Sequence, residues 1–289
     1  MAGRHTGPWP ARNDERSVTQ WLEEWIGGEE ATGVVRLLLH HVTGKDRGLR
    51  LMGHVYSESQ LNRLADCARA CSEGAPVQHV LGQTHFHGLE LKTDSRALIP
   101  RPETEELAAW VLEWVRTHRA QRVCDAGTGT GCLALALKAG WPGAEVVALD
   151  ASSAALDLAG ENGERLGLEV AWHHVRFEEL SKLASPPFDA VVSNPPYIPD
   201  AERAQLDAVV VDHDPHEALF VPDDAPLVHY RTLVEQCGTG GALRSGGLLA
   251  FEVHEALADE VAELLTGWHR VTIHCDLQSK PRMVTAQRP

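Results

Sequence analysis

Gln121-Arg122-Val123-Cys124-Asp125 runs directly into Ala126-Gly127-Thr128-Gly129-Thr130-Gly131, and Cys132-Leu133-Ala134-Leu135-Ala136-Leu137 follows. This reads as a short apolar strand, a glycine turn and an apolar helix. Glycines allow a tight turn and let a ligand come close to the backbone, while the start of a helix presents unpaired N–H groups. The pattern G-x-G-x-G differs from the G-x-G-x-x-G of dinucleotide enzymes, and no Lys follows as a P-loop requires. Phosphate binding is therefore not favoured.

Working outward, strands are predicted at 121–125, 144–150, 169–175, 188–193, 247–253, 269–275 and 283–287. Helices are predicted at 131–139, 152–166, 227–237 and 255–266, and another from about Pro102 to His118, with Pro where its missing N–H is harmless. Strands alternating with helices imply an α/β fold: a Rossmann-like, mostly parallel sheet of seven strands covered on both faces. Such sheets bind ligands beyond the carboxyl ends of their strands, where the strand order reverses.

Upstream the pattern is helical. Val18, Trp21, Leu22, Trp25 and Ile26 recur at helical spacing, Val34 to Leu39 form a second run, and Leu61, Leu64, Ala65, Ala68 and Cys71 a third. Gly27-Gly28, Gly44 and Gly74 stop these helices, and Ser57 with Gln60 forms a capping-box pattern. The alternation in Phe86-His87-Gly88-Leu89-Glu90-Leu91 predicts a short hairpin. Three parts are expected: a helical domain over residues 1–75 that recognises the substrate, a hairpin linker over 76–99, and the α/β domain over 100–289.

Composition sets outer bounds. The 289 residues carry 41 acidic and 26 Lys+Arg side chains, a net charge of -15, which counts against a general nucleic-acid binder because duplex binding needs a basic footprint. No stretch approaches the ~18 apolar residues of a membrane span, and residues 1–17 lack the apolar core of a signal peptide. The six cysteines contain no C-x-x-C, so reduced thiols and a cytoplasmic location are expected. The 16 histidines show no metal-ligand spacing, and no metal site is expected.

Two further signals carry chemistry. Asp150 ends the second strand, where a carboxylate accepts hydrogen bonds from ribose hydroxyls; the same residue could instead cap the helix from Ser152. With the glycine turn it indicates an adenosine-containing ligand. Asn194-Pro195-Pro196-Tyr197 ends the fourth strand. Pro195 biases Asn194 towards an extended backbone, and the paired prolines stiffen the turn. The Asn194 side-chain oxygen and the Pro195 carbonyl can then accept both hydrogens of a planar NH2 group, with Tyr197 as an apolar wall. This device holds a planar amine or amide; it is not a general base.

On these motifs the chain resembles the class I S-adenosylmethionine-dependent methyltransferases, and within them the peptide chain release factor N(5)-glutamine methyltransferases, the PrmC/HemK family. The match extends to Pro76-Val77-Gln78-His79-Val80-Leu81-Gly82, to Phe86-His87-Gly88, to Pro100-Arg101-Pro102-Glu103-Thr104-Glu105, and to Asp276-Leu277 with Arg282. The resemblance implies S-adenosyl-L-methionine as cofactor and class I release factors as protein substrate, methylated on the glutamine of their Gly-Gly-Gln motif. Cofactor binding would fall to Gly127, Thr128, Gly129, Thr130, Gly131 and Asp150, and the glutamine amide to Asn194, Pro195, Pro196 and Tyr197, with Asn194 also near the cofactor. The chain has Val175-Arg176-Phe177 where the family often has an acidic residue, then Trp or Leu and Phe; adenine contacts are placed at Arg176 and Phe177. His79 and His254 stand where Tyr and Gly are common. Arg101, Glu103 and Glu105 shape the pocket, brace two domains, or form a solvated helix start.

Two other readings remain open on the residues. An adenine N(6)-methyltransferase acting on DNA or RNA could use the same N-P-P-Y device, with base extrusion from a duplex. A catalytically silent cofactor-binding protein would be marked by an altered glycine loop or N-P-P-Y, and both are intact.

Overall fold

A computed structural model of the chain describes residues 9–205 and 213–289; residues 1–8 of the expected N-terminal domain lie outside the described residues. The chain divides into two compact units, with the break between Gly82 and Gln83. Among the described residues no helix is long and apolar enough to cross a membrane.

The first unit is helical: α1 (Glu15–Ile26), α2 (Ala31–Thr43), α3 (Arg47–Leu51), α4 (Glu58–Ser72) and α5 (Val77–Leu81). Asp14 caps α1 by accepting the Ser17 N–H at 2.9 Å. Ser57 and Gln60 cap α4 reciprocally, so two otherwise unpaired N–H groups are satisfied. Val18, Leu22, Val35, Leu38, Leu39 and Leu64 form the core, and Val77, Val80 and Leu81 pack against it. Residues 77–81 of the expected linker are thus a helix of this unit. The unit also buries a charge pair that patterning did not reveal. Arg50 donates through Nε to both oxygens of Glu15 at 3.0 and 2.9 Å, and the Tyr56 hydroxyl donates to the same carboxylate.

The second unit opens with the hairpin β1 (Gln83–Phe86) and β2 (Leu89–Lys92). His87 and Gly88, at φ 48° and 80°, make the two-residue turn whose left-handed backbone matches strand twist. After α6 (Pro102–Thr117) come β3 (Arg122–Ala126), α7 (Cys132–Gly140), β4 (Glu145–Asp150), α8 (Ser153–Leu166), β5 (Ala171–His174), β6 (Phe188–Ser193), α9 (Val228–Cys237), β7 (Leu243–Glu252), α10 (Ala258–Leu264), β8 (His269–Cys275) and β9 (Pro281–Gln287).

The last seven strands form one sheet in the order β8-β9-β7-β6-β3-β4-β5. Pairings among β7, β6, β3, β4 and β5 are parallel, and β9 inserts antiparallel between β7 and β8. Alternate residues face opposite cores. Cys124, Val191, Leu249 and Phe251 pack with Tyr230, Leu233 and Val261 from α9 and α10. Val123, Val192, Leu248 and Ala250 pack with Leu107, Val111 and Leu135 from α6 and α7. Burial on both faces explains why these strands read as continuous apolar runs. From β3 the chain moves to β4 and β5 on one side and returns to β6 on the other. The crevice between β3 and β6 is therefore the switch point where such sheets bind ligands.

Candidate active site

A cavity opens at the carboxyl ends of β3, β4 and β6. Its wall includes Gly127, Thr128, Gly129 and Thr130 from the glycine loop, Asp150 from β4, Arg176 and Phe177 after β5, and Asn194 and Pro196 after β6. Residues separated by as much as 69 positions in sequence thus meet because parallel strands all end at the same edge of the sheet.

The loop is held from several sides. Leu149 O accepts the N–H groups of Gly127 and Thr128 at 2.9 and 3.0 Å, and Asp150 Oδ2 accepts that of Gly129 at 2.9 Å. Gly127 sits at φ +77°, and a Cβ there would lie 3.1 Å from Phe177 Cζ. The aromatic ring therefore rests against bare backbone, with no room for a side chain between them. Gly131, at φ +82°, is the N-cap of α7; a Cβ there would lie 3.1 Å from both Ala159 and Trp172. Gly131 thus shapes the loop from behind and is not part of the cavity wall.

Asp150 does not cap α8. Ser152 does, its hydroxyl accepting the Ala155 N–H at 3.3 Å, because it stands one residue before the helix while Asp150 stands within the strand end. Asp150 Oδ1 takes the Ser152 N–H at 2.9 Å. Burial raises the Asp150 pKa, opposed by these backbone N–H groups. Each oxygen retains a lone pair, so the carboxylate can accept hydroxyl donors while it holds the loop.

Three polar groups brace the site: Asp125 and Asn162, which the predicted site leaves out, and Arg101, whose role the sequence left open. Asp125, fully buried at the base of the loop, accepts the Thr128 hydroxyl at 2.7 Å and the Ala134 N–H at 3.0 Å through Oδ2. Burial pushes its carboxyl up to about 7. Asn162 of α8 accepts the Lys92 N–H at 2.6 Å and donates to Lys92 O and Thr130 O, both at 3.0 Å, tying the hairpin to the glycine loop. Its position in the buried row Ala155, Leu158, Ala159 is the signal that could have exposed it. Arg101, on the cavity wall, donates to the buried Asp214 at 2.8 Å, so it is anchored rather than part of a solvated helix start.

The N-P-P-Y segment divides. Asn194 and Pro196 face the cavity, whereas Pro195 is buried. Tyr197 is not on the cavity wall. After the prolines the chain continues as Ile198-Pro199 paired with Phe220-Val221, and the Tyr197 ring packs on the core of β7 and α9, 5.9 Å from the His254 ring. The amide wall expected of Tyr197 is therefore absent in this conformation. Asn194 Nδ2 lies 3.3 Å from Thr104 Oγ1, and Thr104 in turn donates to Glu252 Oε2 at 2.7 Å. Ala97, Leu98, Glu217, Ala218 and His229 also stand on the wall. None of them stands in a motif, and no local pattern distinguishes them.

These residues suit an adenosine-bearing cation. Bare backbone and an aromatic ring line the cavity beside a carboxylate at the strand end that suits ribose hydroxyls, and no basic side chain lies in the glycine loop to attract phosphate.

Comparison with known proteins gives the same architecture and adds a family. Residues 18–82 match the PrmC N-terminal domain, and residues 105–212 match the methyltransferase small domain. The chain is 42% identical to the release factor glutamine methyltransferase of Deinococcus radiodurans over 258 residues, 88% of this chain and 90% of that protein. It is 41% identical to that of Gloeobacter violaceus over 230 residues, 79% of each. Among solved structures, the hMettl16 catalytic domain bound to a MAT2A 3′UTR hairpin superposes with a TM-score of 0.53 at 17% identity, covering 82% of this chain and 85% of that one. That likeness concerns the fold.

Proposed function

The chain belongs to the family of release factor glutamine methyltransferases, and from that premise we propose how its residues serve the reaction. It methylates a release factor glutamine at the side-chain amide, with S-adenosyl-L-methionine as cofactor. The adenine N(6)-methyltransferase reading is not favoured: relatives sharing most of the chain carry the glutamine activity in their names, and the hMettl16 likeness shares only the fold.

When bound, the cofactor supplies an electrophilic methyl group on a sulfonium. Gly127 to Gly131 shape its pocket, Asp150 accepts ribose hydroxyls, and Arg176 and Phe177 flank the adenine. A glutamine amide is a poor nucleophile because its lone pair is delocalised into the carbonyl. Asn194 Oδ1 and the Pro195 carbonyl accept the two amide N–H bonds, which aims the nitrogen and favours localisation of that lone pair. Pro196 stiffens the turn that presents both acceptors. Positioning and fixed dipoles supply most of the rate gain. The amide proton leaves after transfer, so no titratable base is needed beside the nitrogen. Tyr197 is assigned to hold the turn rather than to stack on the amide.

The substrates proposed are class I release factors, methylated on the glutamine of Gly-Gly-Gln. The first unit, residues 1–82, recognises the protein substrate, and the reaction takes place in the cytoplasm. The observation that carries this reading is the meeting of Asn194 with Gly127 to Thr130 and Asp150 around one cavity. Mass spectrometry of release factor incubated with the protein and S-adenosyl-L-methionine tests it. One added methyl on the Gly-Gly-Gln glutamine is expected; methylation elsewhere, or of adenine in nucleic acid alone, overturns it.

A further inference from the structure

We infer that Thr104 and Glu252 are positioning residues that fix which end of the Asn194 amide faces the substrate. This rests on the reading of Asn194 as an amide acceptor. Asn194 can serve as an acceptor only if its oxygen, not its NH2 group, points at the substrate nitrogen. The two ends of a side-chain amide have nearly the same shape, so packing alone does not choose between them. Neighbouring donors and acceptors must choose.

The choice is made by a chain of buried groups. Glu252 ends β7 and is 3% exposed; Thr104, in the first turn of α6, is also 3% exposed. The Thr104 hydroxyl has one proton, and Glu252 Oε2 takes it at 2.7 Å. Its oxygen is then left as an acceptor only. Asn194 Nδ2, 3.3 Å away, donates to it, and the Asn194 side chain also favours the ionised form of Glu252. Both neighbours accept, so the NH2 end of Asn194 is committed to them. Oδ1 is the end left for the substrate. The polarity of the chain runs from Asn194 through Thr104 to Glu252 and depends on Glu252 being ionised. Were Glu252 protonated, it could donate to Thr104, Thr104 to Asn194 Oδ1, and the amide would present NH2 to an incoming NH2.

Among the described residues, several groups act on Glu252. Glu103 and Thr104 come from α6, Arg282 from β9, Asn194 and Tyr197 from the turn after β6, Tyr230 from α9 and Cys132 from α7. The Tyr230 hydroxyl is engaged with Glu252 O at 3.0 Å. Burial and the Glu103 charge disfavour the carboxylate; Thr104, Arg282 and Asn194 favour it, and its pKa settles at about 7. The donor–acceptor direction is therefore sensitive to pH near neutrality.

The test is single-turnover methyl transfer to purified release factor by the full-length protein, with cofactor affinity from calorimetry in parallel. Thr104→Val keeps the shape but removes the acceptor, and transfer should slow roughly 10–100-fold, the range for one charge-assisted hydrogen bond, while cofactor affinity stays nearly unchanged. Thr104→Ser should restore the rate. Because Thr104 acts through Asn194, the double variant Asn194→Ala/Thr104→Val should be no slower than Asn194→Ala alone. The transfer rate of the parent protein should rise through about pH 7, and Glu252→Gln should lose that limb. A folded Thr104→Val as fast as the parent overturns the proposal, as does a Thr104→Ser that remains as slow as Thr104→Val. Should Thr104→Val not fold, an unaltered pH limb in Glu252→Gln overturns it. Asn194→Ala distinguishes the two levels: if that variant alone transfers at the parent rate, the acceptor reading of Asn194 fails, whatever Thr104 does.

Discussion

Asp150 Oδ2 accepts the N–H of Gly129 at 2.9 Å, so the acid proposed for the ribose also holds the glycine loop. Under that proposal one carboxylate couples the ribose contact to the glycine loop. Any change at Asp150 alters loop order and hydroxyl binding together, whereas α8 keeps its own cap at Ser152.

Asp150→Ala should therefore weaken S-adenosyl-L-methionine binding by about 1.5–3 kcal/mol, the range for hydrogen bonds to a charged group. Calorimetry measures this. The helix content seen by circular dichroism should not change, because the α8 cap is elsewhere. Unchanged affinity would refute the ribose role.

Asn194→Ala removes one of two acceptors for the amide and leaves the glycine loop intact. Single-turnover transfer should fall on the order of 10²–10³, as for loss of one preorganised electrostatic contact. Cofactor affinity should change much less. A parent-like rate would reduce N-P-P-Y to a turn.

Gly127→Ala meets two obstacles, a backbone at φ +77° and the Phe177 ring 3.1 Å from the new Cβ. The left-handed backbone alone costs about 1–2 kcal/mol for a residue with a side chain. Both melting temperature and cofactor affinity should drop. Gly127→Ala with Phe177→Leu should recover part of the affinity lost to the steric contact, as read by calorimetry.

The pH dependence of stability has a definite sign. Asp125 is pushed up to about 7 by burial, so between the ordinary carboxyl range and about 7 the folded chain binds more protons there than the unfolded chain. Its contribution to stability thus falls as pH rises through that window, by on the order of 4 kcal/mol in all. Asp94 acts oppositely: Arg96 holds its carboxyl below the usual range, and that stabilisation is lost on acidification. In urea melts the Asp125→Asn variant should lose less stability than the parent between about pH 5 and about pH 8. Identical slopes would show that Asp125 does not titrate there.

In the first unit, Glu15→Ala strands the Arg50 guanidinium, whose side chain is 1% exposed. Removing one partner of a buried pair costs about 3–5 kcal/mol, so the helical unit should melt early. Under the proposed role of residues 1–82, the variant should still bind cofactor yet methylate release factor poorly at subsaturating substrate. Full turnover with an unfolded first unit would show that the unit is dispensable.

The local chain determined much of this protein. Continuous apolar runs gave β3, β4 and β6 because both faces of a parallel sheet are buried. Ser57 and Gln60 fixed the start of α4 because a capping box is satisfied within four residues. Gly127 and Gly131 were legible because left-handed backbone excludes most side chains. Asn194 and Asp150 stood out because each ends an apolar strand, where open sheets place their ligands. Tertiary structure alone decided the rest. Thr104 reaches Glu252 across 148 positions and Asn194 across 90, Asn162 reaches Lys92 across 70, and Glu15 meets Arg50 across 35. No periodicity records such pairings, since each depends on where separate elements dock. The Tyr197 ring packs against the sheet core instead of standing on the cavity wall, a placement no local pattern records. The raised carboxyls of Asp125 and Glu252 arise from burial, a property of the whole packed sheet. A sequence carries the preferences of each short segment, but the distance between two segments, and the dielectric between two charges, exist only once the chain has folded.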